Sequence, residues 1–142
     1  MSIYFLLFWS SLLIASLGAV RWGGWPERAV AAMFLGSAIV TSLIRPSAPM
    51  MYRNVEVGVF LIDAFLLAGL VWITVRADRW WPICATALQG LTVLSHIGRA
   101  MNPALWPYGY QLMATWASWP MVAVLAVGVI RCRSRKVTPE SI

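Results

Sequence analysis

Residues 55–75 read VEVGVFLIDAFLLAGLVWITV, an apolar run in which Glu56 and Asp63 are the only charged residues. A transmembrane α-helix needs about 20 consecutive, mostly apolar residues to cross the hydrocarbon core of a bilayer. Four other stretches of similar character accompany this one along the chain. The five stretches are residues 2–20, 29–44, 55–75, 82–98 and 108–130. The pattern predicts an all-α, integral membrane bundle of five transmembrane helices.

The composition agrees with a membrane protein. The chain is 61% hydrophobic and only 11% charged, whereas about a quarter of the residues in soluble domains are charged. Its mean hydropathy is +0.75. With 142 residues, we expect a single transmembrane domain over residues 1–131, which leaves residues 132–142 as a short basic cytoplasmic tail. The net charge of +6 does not indicate nucleic-acid binding, because the arginines sit at the ends of the apolar stretches.

The basic residues predict the orientation of the helices. One set of connecting segments carries Arg21, Arg28, Arg76, Arg79, Arg131, Arg133, Arg135 and Lys136. The alternate set carries only Arg45, Arg53 and Arg99. Basic residues accumulate on the cytoplasmic side of membrane proteins, so we expect the N-terminus outside and the C-terminus in the cytoplasm. The first stretch has no basic residue before it, which favours an uncleaved helix over a signal peptide, with cleavage after Ala15 or Ala19 as the alternative.

Tryptophan–proline pairs occur at four places, at residues 25–26, 81–82, 106–107 and 119–120. Proline suits the first turn of a helix, and tryptophan is enriched at membrane interfaces. The first three pairs therefore predict helix starts at the level of the lipid headgroups. The fourth pair lies within the fifth stretch, where Pro120 is expected to kink the helix. The spacing of the first two pairs also suggests a duplicated helical hairpin, although interface preferences alone could produce it.

Two helices carry polar faces. Asp63 lies near the middle of the third stretch, and Glu56, seven residues earlier, shares its helical face. Four polar residues of the fourth stretch, at i, i+3, i+7 and i+10, form one stripe. They are Gln89, Thr92, His96 and Arg99. Charged side chains inside a membrane usually face the interior of the helix bundle, so these two faces are expected to meet.

The expected depths of these residues predict how they pair. Counted from the outer ends of the third and fourth helices, Asp63 and Gln89 each lie about 15 Å inside the membrane at 1.5 Å per residue. We therefore predict a hydrogen bond between Asp63 and Gln89 near the midplane, with Thr92 beside them. On the same count Glu56 and His96 lie about 4.5 Å from the outer ends. Arg53, Glu56, His96 and Arg99 are expected to form a charged cluster at the outer mouth.

Two interpretations of these polar faces are open. In the first, they are interhelical hydrogen bonds that hold two helices together, and Asp63 is a neutral donor. In the second, Asp63 takes up a proton or binds a cation or an amine, with the outer cluster as the entrance. A polar cavity that reaches Asp63 would favour the second interpretation, and a closed contact between Asp63 and Gln89 would favour the first.

The sequence offers little for metal or covalent catalysis. Zinc catalysis needs about three protein ligands, and His96 is the only histidine, so we predict no metal site. A haem held by His96, with Met101 or a second subunit on the other side, is a minor alternative. Cys84 and Cys132 form no C-x-x-C pair and are expected to stay reduced. Because no catalytic motif is present, we expect neither an enzyme nor a resident cofactor.

Several segments resemble small inner-membrane proteins of Gram-negative bacteria that have no assigned activity. These segments are GGWPERA at residues 23–29, DRWWPI at residues 78–83, and the downstream residues His96, Asn102-Pro103 and Tyr110. The resemblance spans most of the chain and implies a bacterial inner-membrane location, with no implied chemistry. Five helices and many tryptophans are also similar to the tryptophan-rich sensory protein (translocator) family. The loop at residues 21–28 lacks that family's Trp-Tyr…Lys-Pro-x-Trp…Pro-Pro stretch, so porphyrin binding is only a minor alternative.

The sequence thus favours a small accessory or interaction protein, with a transporter or ligand-binding protein that uses Asp63 as the alternative. Its expected partners are membrane lipids and either another membrane protein or a second copy of itself. Small residues four apart, Ala32 and Gly36 in the second stretch and Ala64 and Ala68 in the third, permit helices to approach closely.

Overall fold

The computed structural model describes residues 3–44, 57–102 and 116–137, and these residues are helical except at short turns. The helices are α1 (Ile3–Trp22), α2 (Trp25–Ile44), α3 (Val57–Arg76), α4 (Trp81–Met101) and α5 (Ser118–Val137). No strand occurs within these ranges. The predictions of an all-α fold and of five helices are therefore confirmed for this part of the chain.

The lengths and compositions of three helices indicate a membrane protein. α1, α2 and α3 each contain 20 residues, and their most apolar windows have mean hydropathies of 2.0, 1.5 and 2.2. These values and lengths suffice to cross a bilayer. α4 and α5 are as long, with 21 and 20 residues, but neither contains a window that is as apolar and as poor in charged residues. The reason is that α4 carries the polar stripe and α5 ends in a run of basic residues.

The turn between α1 and α2 depends on a glycine. The Gly23 N–H donates a hydrogen bond of 2.9 Å to the Ala19 carbonyl and closes the last turn of α1. A Cβ atom at Gly23 would lie only 2.4 Å from that carbonyl oxygen, so no other residue fits there without a backbone shift. α2 then begins at Trp25 with Pro26 in its first turn. The predicted helix start at this Trp-Pro pair is confirmed, as is the start of α4 at Trp81-Pro82.

The fifth predicted stretch is described only in its second half. Trp116 is helical, Ala117 is a turn, and α5 begins at Ser118, so Pro120 lies in the first turn of α5, a position that proline tolerates. The helical path is thus interrupted beside Pro120, and the predicted kink of the whole stretch stays a prediction because residues 103–115 lie outside the described residues. α5 also continues to Val137, and the first residues of the predicted tail are therefore helical. Residues 106–107, the third predicted helix start, lie outside the described residues.

The helices pack as a closed ring. Each helix contacts the next along the chain, α5 returns to contact α1, and α2 also touches α5 across the ring. The ring encloses an apolar core that includes Leu12, Val30, Leu70, Trp81 and Leu125. The outward surfaces are apolar as well, with Phe65 and Val75 about four-fifths exposed. An apolar exterior around a packed core is expected for a protein surrounded by lipid tails.

The two ends of the ring differ in character. One end, which we call the arginine end, holds the end of α1, the starts of α2 and α4, and the ends of α3 and α5. Here guanidinium groups lie over indole rings, Arg131 over Trp80 at 4.9 Å, Arg133 over Trp22 at 4.8 Å, and Arg76 over Trp72 at 5.4 Å. The opposite end, which we call the cavity end, carries the candidate site.

Candidate functional site

Asp63 on α3 is bound by two side chains of α4. The Gln89 side-chain N–H donates to Asp63 Oδ1 at 2.9 Å and to the Asp63 backbone carbonyl at 3.1 Å. His96 Nε2 lies 3.0 Å from the other carboxylate oxygen, Oδ2. The predicted hydrogen bond between Asp63 and Gln89 is therefore present, and His96 is an additional partner. We refer to Asp63, Gln89 and His96 as the carboxylate cluster.

The cluster is buried except for part of the carboxylate. Gln89 and His96 are each 2% exposed, whereas the Asp63 side chain is 19% exposed. The His96 ring is fixed on a second side by Phe60, whose ring centroid lies 6.0 Å away in an edge-on arrangement. The two α4 residues are therefore enclosed by protein, and Asp63 is the member of the cluster with the most open surface.

Thr92 lies between Gln89 and His96 on the polar face of α4, as the spacing predicts. Its hydroxyl donates to the backbone carbonyl of Leu88 at 3.3 Å, a bond within its own helix. Thr92 is buried and lines the same space as the carboxylate cluster. It therefore contributes surface and a hydroxyl oxygen to the site.

The register of α3 against α4 differs from the depth estimate. That estimate put Asp63 level with Gln89 and His96 level with Glu56. In the structure, Asp63 Oδ2 reaches His96, and farther along the same pair of helices the hydroxyls of Thr74 and Thr86 are 2.8 Å apart. Because Gln89 also donates to the Asp63 backbone carbonyl, Asp63 lies level with the turn of α4 between Gln89 and His96, about one helical turn from the estimate.

The predicted outer-mouth cluster of Arg53, Glu56, His96 and Arg99 stays a prediction. Arg53 and Glu56 lie outside the described residues. Arg99 lies in the last turn of α4, one turn beyond His96, and His96 itself contacts Asp63. The structure thus places His96 and Arg99 toward the cavity end, and it assigns His96 to the carboxylate cluster.

A cavity of about 570 Å³ adjoins the carboxylate cluster and receives side chains from all five helices. Ligand sites in proteins commonly have volumes of about 300–1,000 Å³. One wall is polar and consists of Asp63, Gln89, Thr92 and His96. The aromatic part of the lining, which we call the aromatic wall, comprises Tyr4, Phe5, Phe8, Trp9, Phe34 and Trp119. The cavity therefore combines an apolar body with polar groups concentrated on one side.

The aromatic wall is itself organised. Phe8 of α1 and Trp119 of α5 meet edge to face, with ring centroids 5.9 Å apart, and Phe5 and Trp9 form a tilted pair at 6.0 Å. Aromatic faces carry a negative quadrupole and attract cations. Interface preference explains the tryptophans at the helix starts, whereas Trp9 and Trp119 line the same space as Asp63.

These groups can bind a positive charge better than they can bind a metal or a haem. No group of three or more His, Cys, Asp or Glu side chains in the described part of the chain could hold a metal ion. His96 Nε2 is engaged with Asp63, so haem ligation through that nitrogen would require this contact to break. An Asp63 carboxylate beside aromatic faces remains as a site for a cation.

A second buried carboxylate, Glu27, lies at the arginine end and is not predicted from the sequence. Glu27 is fully buried. Its Oε1 accepts a hydrogen bond of 3.0 Å from the Trp81 indole N–H, and Arg79 approaches the same oxygen at 3.8 Å. Its Oε2 accepts a bond of 2.8 Å from the Gly24 backbone N–H, which is the arrangement of a helix N-terminal cap.

The hydrogen bond between Glu27 and Trp81 has a structural role. Glu27 belongs to α2 and Trp81 to α4, so their hydrogen bond joins two helices that are not neighbours in the ring. The Trp81 ring also packs on Gly128 of α5, where an added Cβ would lie 2.8 Å from the indole. Gly24, Glu27 and Trp81 belong to the GGWPERA and DRWWPI segments. Their contacts explain these segments by packing at the arginine end.

Comparisons of the chain with known protein families, curated proteins and solved structures found no match. The function therefore has to be inferred from the geometry of the carboxylate cluster and its cavity.

Proposed function

We propose that this protein binds a small organic cation, an amine or a related onium ion with an apolar body, in the cavity beside Asp63. The observation that supports the proposal is the partly exposed Asp63 carboxylate in the lining of a cavity of about 570 Å³ that also contains six aromatic side chains. A carboxylate and aromatic faces both attract positive charge, and the rings also match an apolar ligand body.

The hydrogen bonds of Asp63 with α4 serve helix packing, and they leave part of its carboxylate for a ligand. Gln89 and His96 each supply one contact to the carboxylate, and a carboxylate can accept about four hydrogen bonds. The carboxylate therefore retains capacity to accept further hydrogen bonds, and its side chain is 19% exposed. An accessory or interaction role, the leading expectation from the sequence, needs no cavity at this point, so we treat it as the second proposal.

The membrane setting completes the proposal. We propose five transmembrane helices in a bacterial inner membrane, with the N-terminus outside and the C-terminus in the cytoplasm. The alternating helix directions and the arginines at one end support this arrangement. In this orientation the arginine end faces the cytoplasm and the cavity end lies toward the outside. The ligand would then enter from the outer side or from the outer leaflet.

The test uses two probes of the same shape and opposite charge, tetraphenylphosphonium and tetraphenylborate. Binding of each to the purified full chain in lipid nanodiscs is measured by equilibrium dialysis. We expect saturable binding of the cation only. Asp63→Asn keeps the size of the side chain and an oxygen that can accept from Gln89 but removes the charge, so it should weaken cation binding about 10- to 100-fold, the value of a charge-assisted contact.

The matched control is Asp78→Asn, which makes the same substitution at an exposed residue of the arginine end. It should leave binding unchanged. Equal binding of the two probes, or equal affinity of the Asp63→Asn variant and the unmodified protein, would contradict the proposal and leave the accessory role as the better explanation.

A further inference from the structure

Two arginines near the end of α5 lie over tryptophan rings of other parts of the bundle. The Arg131 guanidinium carbon is 4.9 Å from the centre of the Trp80 ring, which belongs to the turn before α4. The Arg133 guanidinium carbon is 4.8 Å from the centre of the Trp22 ring, at the end of α1. We refer to these two contacts as the α5 arginine–indole pairs. Each joins residues that are far apart in the sequence.

The spacing of the two arginines places the pairs on different sides of α5. Successive residues of an α-helix are about 100° apart around its axis, so residues 131 and 133 project to nearly opposite sides. α5 packs between α4 and α1 in the ring, and each arginine reaches the neighbour on its own side. The arginine end therefore carries one guanidinium in the seam between α4 and α5 and another in the seam between α1 and α5.

Both pairs are open to the surroundings. Trp80 and Trp22 are 47% and 40% exposed, and Arg131 and Arg133 are exposed as well. Neither guanidinium pairs with a carboxylate or donates a hydrogen bond within the described residues. The N–H donors of a guanidinium lie around the edge of its plane, so a ring beneath the group positions these donors without occupying them.

The charge of the arginine end favours an anion as the acceptor. Seven arginines belong to the described segments at this end, and they are accompanied by only two carboxylates, Glu27 and Asp78. Glu27 is fully buried and is approached by Arg79, so it does not neutralise the surface. Tryptophans concentrate at the level of the lipid headgroups. In a bilayer, the two half-exposed indoles therefore place the guanidiniums beside lipid phosphates.

We propose that the α5 arginine–indole pairs are two binding positions for anionic phospholipids, one in each seam beside α5. In each position the guanidinium donates two N–H bonds to the headgroup phosphate, and the indole covers the apolar part of the lipid next to the headgroup. A headgroup with a net negative charge is preferred to a zwitterionic one, because the surrounding arginines repel a choline ammonium. This inference concerns the opposite end of the ring from Asp63 and does not rest on cation binding there.

The experiment measures lipid binding to the full chain by native mass spectrometry. The protein is purified in neutral detergent and titrated with phosphatidylglycerol or with phosphatidylcholine that carries the same acyl chains. We expect phosphatidylglycerol to saturate two positions and phosphatidylcholine to bind about tenfold more weakly or less. Equal affinity for the two lipids would overturn the proposal. Displacement of phosphatidylglycerol by an equal concentration of inorganic phosphate would also overturn it, since the positions would then serve a soluble anion.

The variants Arg131→Gln and Arg133→Gln each remove one guanidinium. A charge that only attracts anionic lipid to the membrane surface contributes about fivefold in affinity. Loss of a two-bond, charge-assisted contact should instead weaken binding at that position about 10- to 100-fold. Each single variant should therefore retain one tightly bound phosphatidylglycerol, and the double variant should retain neither.

Arg28→Gln is the matched control. Arg28 is an exposed arginine of the same end, and it lies over no ring of the described residues. Its loss should weaken binding by no more than about fivefold. Equal losses in Arg28→Gln and in the two α5 variants would indicate general charge attraction and overturn the assigned positions. The comparison of the two lipids uses the unmodified protein, so the proposal does not depend on correct folding of any variant.

Discussion

At the scale of single residues, Glu27 and Trp81 show how a buried charge is made tolerable in this bundle. The carboxylate has no exposed surface, and it accepts hydrogen bonds from the indole and from the Gly24 N–H, with Arg79 close by. A buried carboxylate without such partners would be strongly destabilising. The indole N–H is therefore a stabilising donor in addition to the large apolar surface that Trp81 buries.

We predict that Trp81→Phe destabilises the protein by about 2 kcal/mol or more, because one donor to a buried carboxylate is lost. The midpoint of thermal unfolding in detergent should fall by roughly 4–8 °C, measured by circular dichroism. Trp25→Phe is the matched control, since Trp25 precedes the other described interface proline and is half exposed. Its effect should be much smaller, and equal effects of the two substitutions would contradict the assigned role of the indole N–H.

The same two residues show a limit of prediction from sequence. A glutamate in the first turn of α2 is a common helix-capping residue, and the bond to the Gly24 N–H has that form. The bond to Trp81 joins residues 54 positions apart, and no local pattern encodes it. Trp25-Pro26 and Trp81-Pro82 look equivalent in sequence, yet one tryptophan faces outward and the other is buried.

At the scale of the helices, α5 meets α4 through a glycine. A Cβ on Gly128 would lie 2.8–3.0 Å from three atoms of the Trp81 ring, closer than carbon atoms can approach without displacement. The ring cannot move away freely, because its N–H is bonded to Glu27. Gly128 thus sets the distance between the two helices at the arginine end.

We predict opposite signs for two glycine-to-alanine substitutions. Gly128→Ala should destabilise the protein by up to about 2 kcal/mol, since overpacking costs about 1–3 kcal/mol and the better helix propensity of alanine returns up to about 1 kcal/mol. Gly90→Ala, on α4 with no atom within 4 Å of its added Cβ, should be neutral or stabilising. Thermal unfolding of both variants in one detergent measures the difference, and destabilisation by Gly90→Ala alone would refute this account.

The pairing of α3 with α4 could be predicted in part. The periodic spacing of Gln89, Thr92 and His96 identifies the face of α4 that meets Asp63, and the short connection between the helices makes them neighbours. The pattern does not predict the register, that is, which residues of α3 and α4 lie at the same level. The reason is that the polar stripe of α4 would present the same face to α3 after α4 slides along it by whole helical turns. The structure fixes it through the contact of Thr74 with Thr86 and the contact of Asp63 with His96.

At the scale of the whole molecule, the ring is filled unevenly along its length. Toward the arginine end the interior is occupied by Trp81, which bonds to Glu27 and packs on Gly128. Toward the cavity end the five helices leave a space of about 570 Å³ beside Asp63. The sequence shows that the helices are apolar and which residues are polar, but the size of a space enclosed by five helices depends on packing distances that no single helix determines.

This asymmetry makes the orientation in the membrane decisive for access to the site. The basic residues divide eight to three between the two sets of connecting segments, and the larger set belongs in the cytoplasm. We therefore predict that the C-terminus is cytoplasmic and that the cavity end lies toward the outside. A cation added outside intact cells should then reach Asp63 without crossing the packed arginine end.

Two C-terminal fusions, expressed separately in a Gram-negative bacterium, measure the orientation. Green fluorescent protein, which matures in the cytoplasm, should be fluorescent. Alkaline phosphatase needs disulfides that form outside the cytoplasm, so its fusion should be inactive. Active phosphatase with a dark fluorescent protein would reverse the topology and turn the cavity end toward the cytoplasm. The binding geometry at Asp63 would be unaffected by that result, but the cation would then have to be drawn from inside the cell.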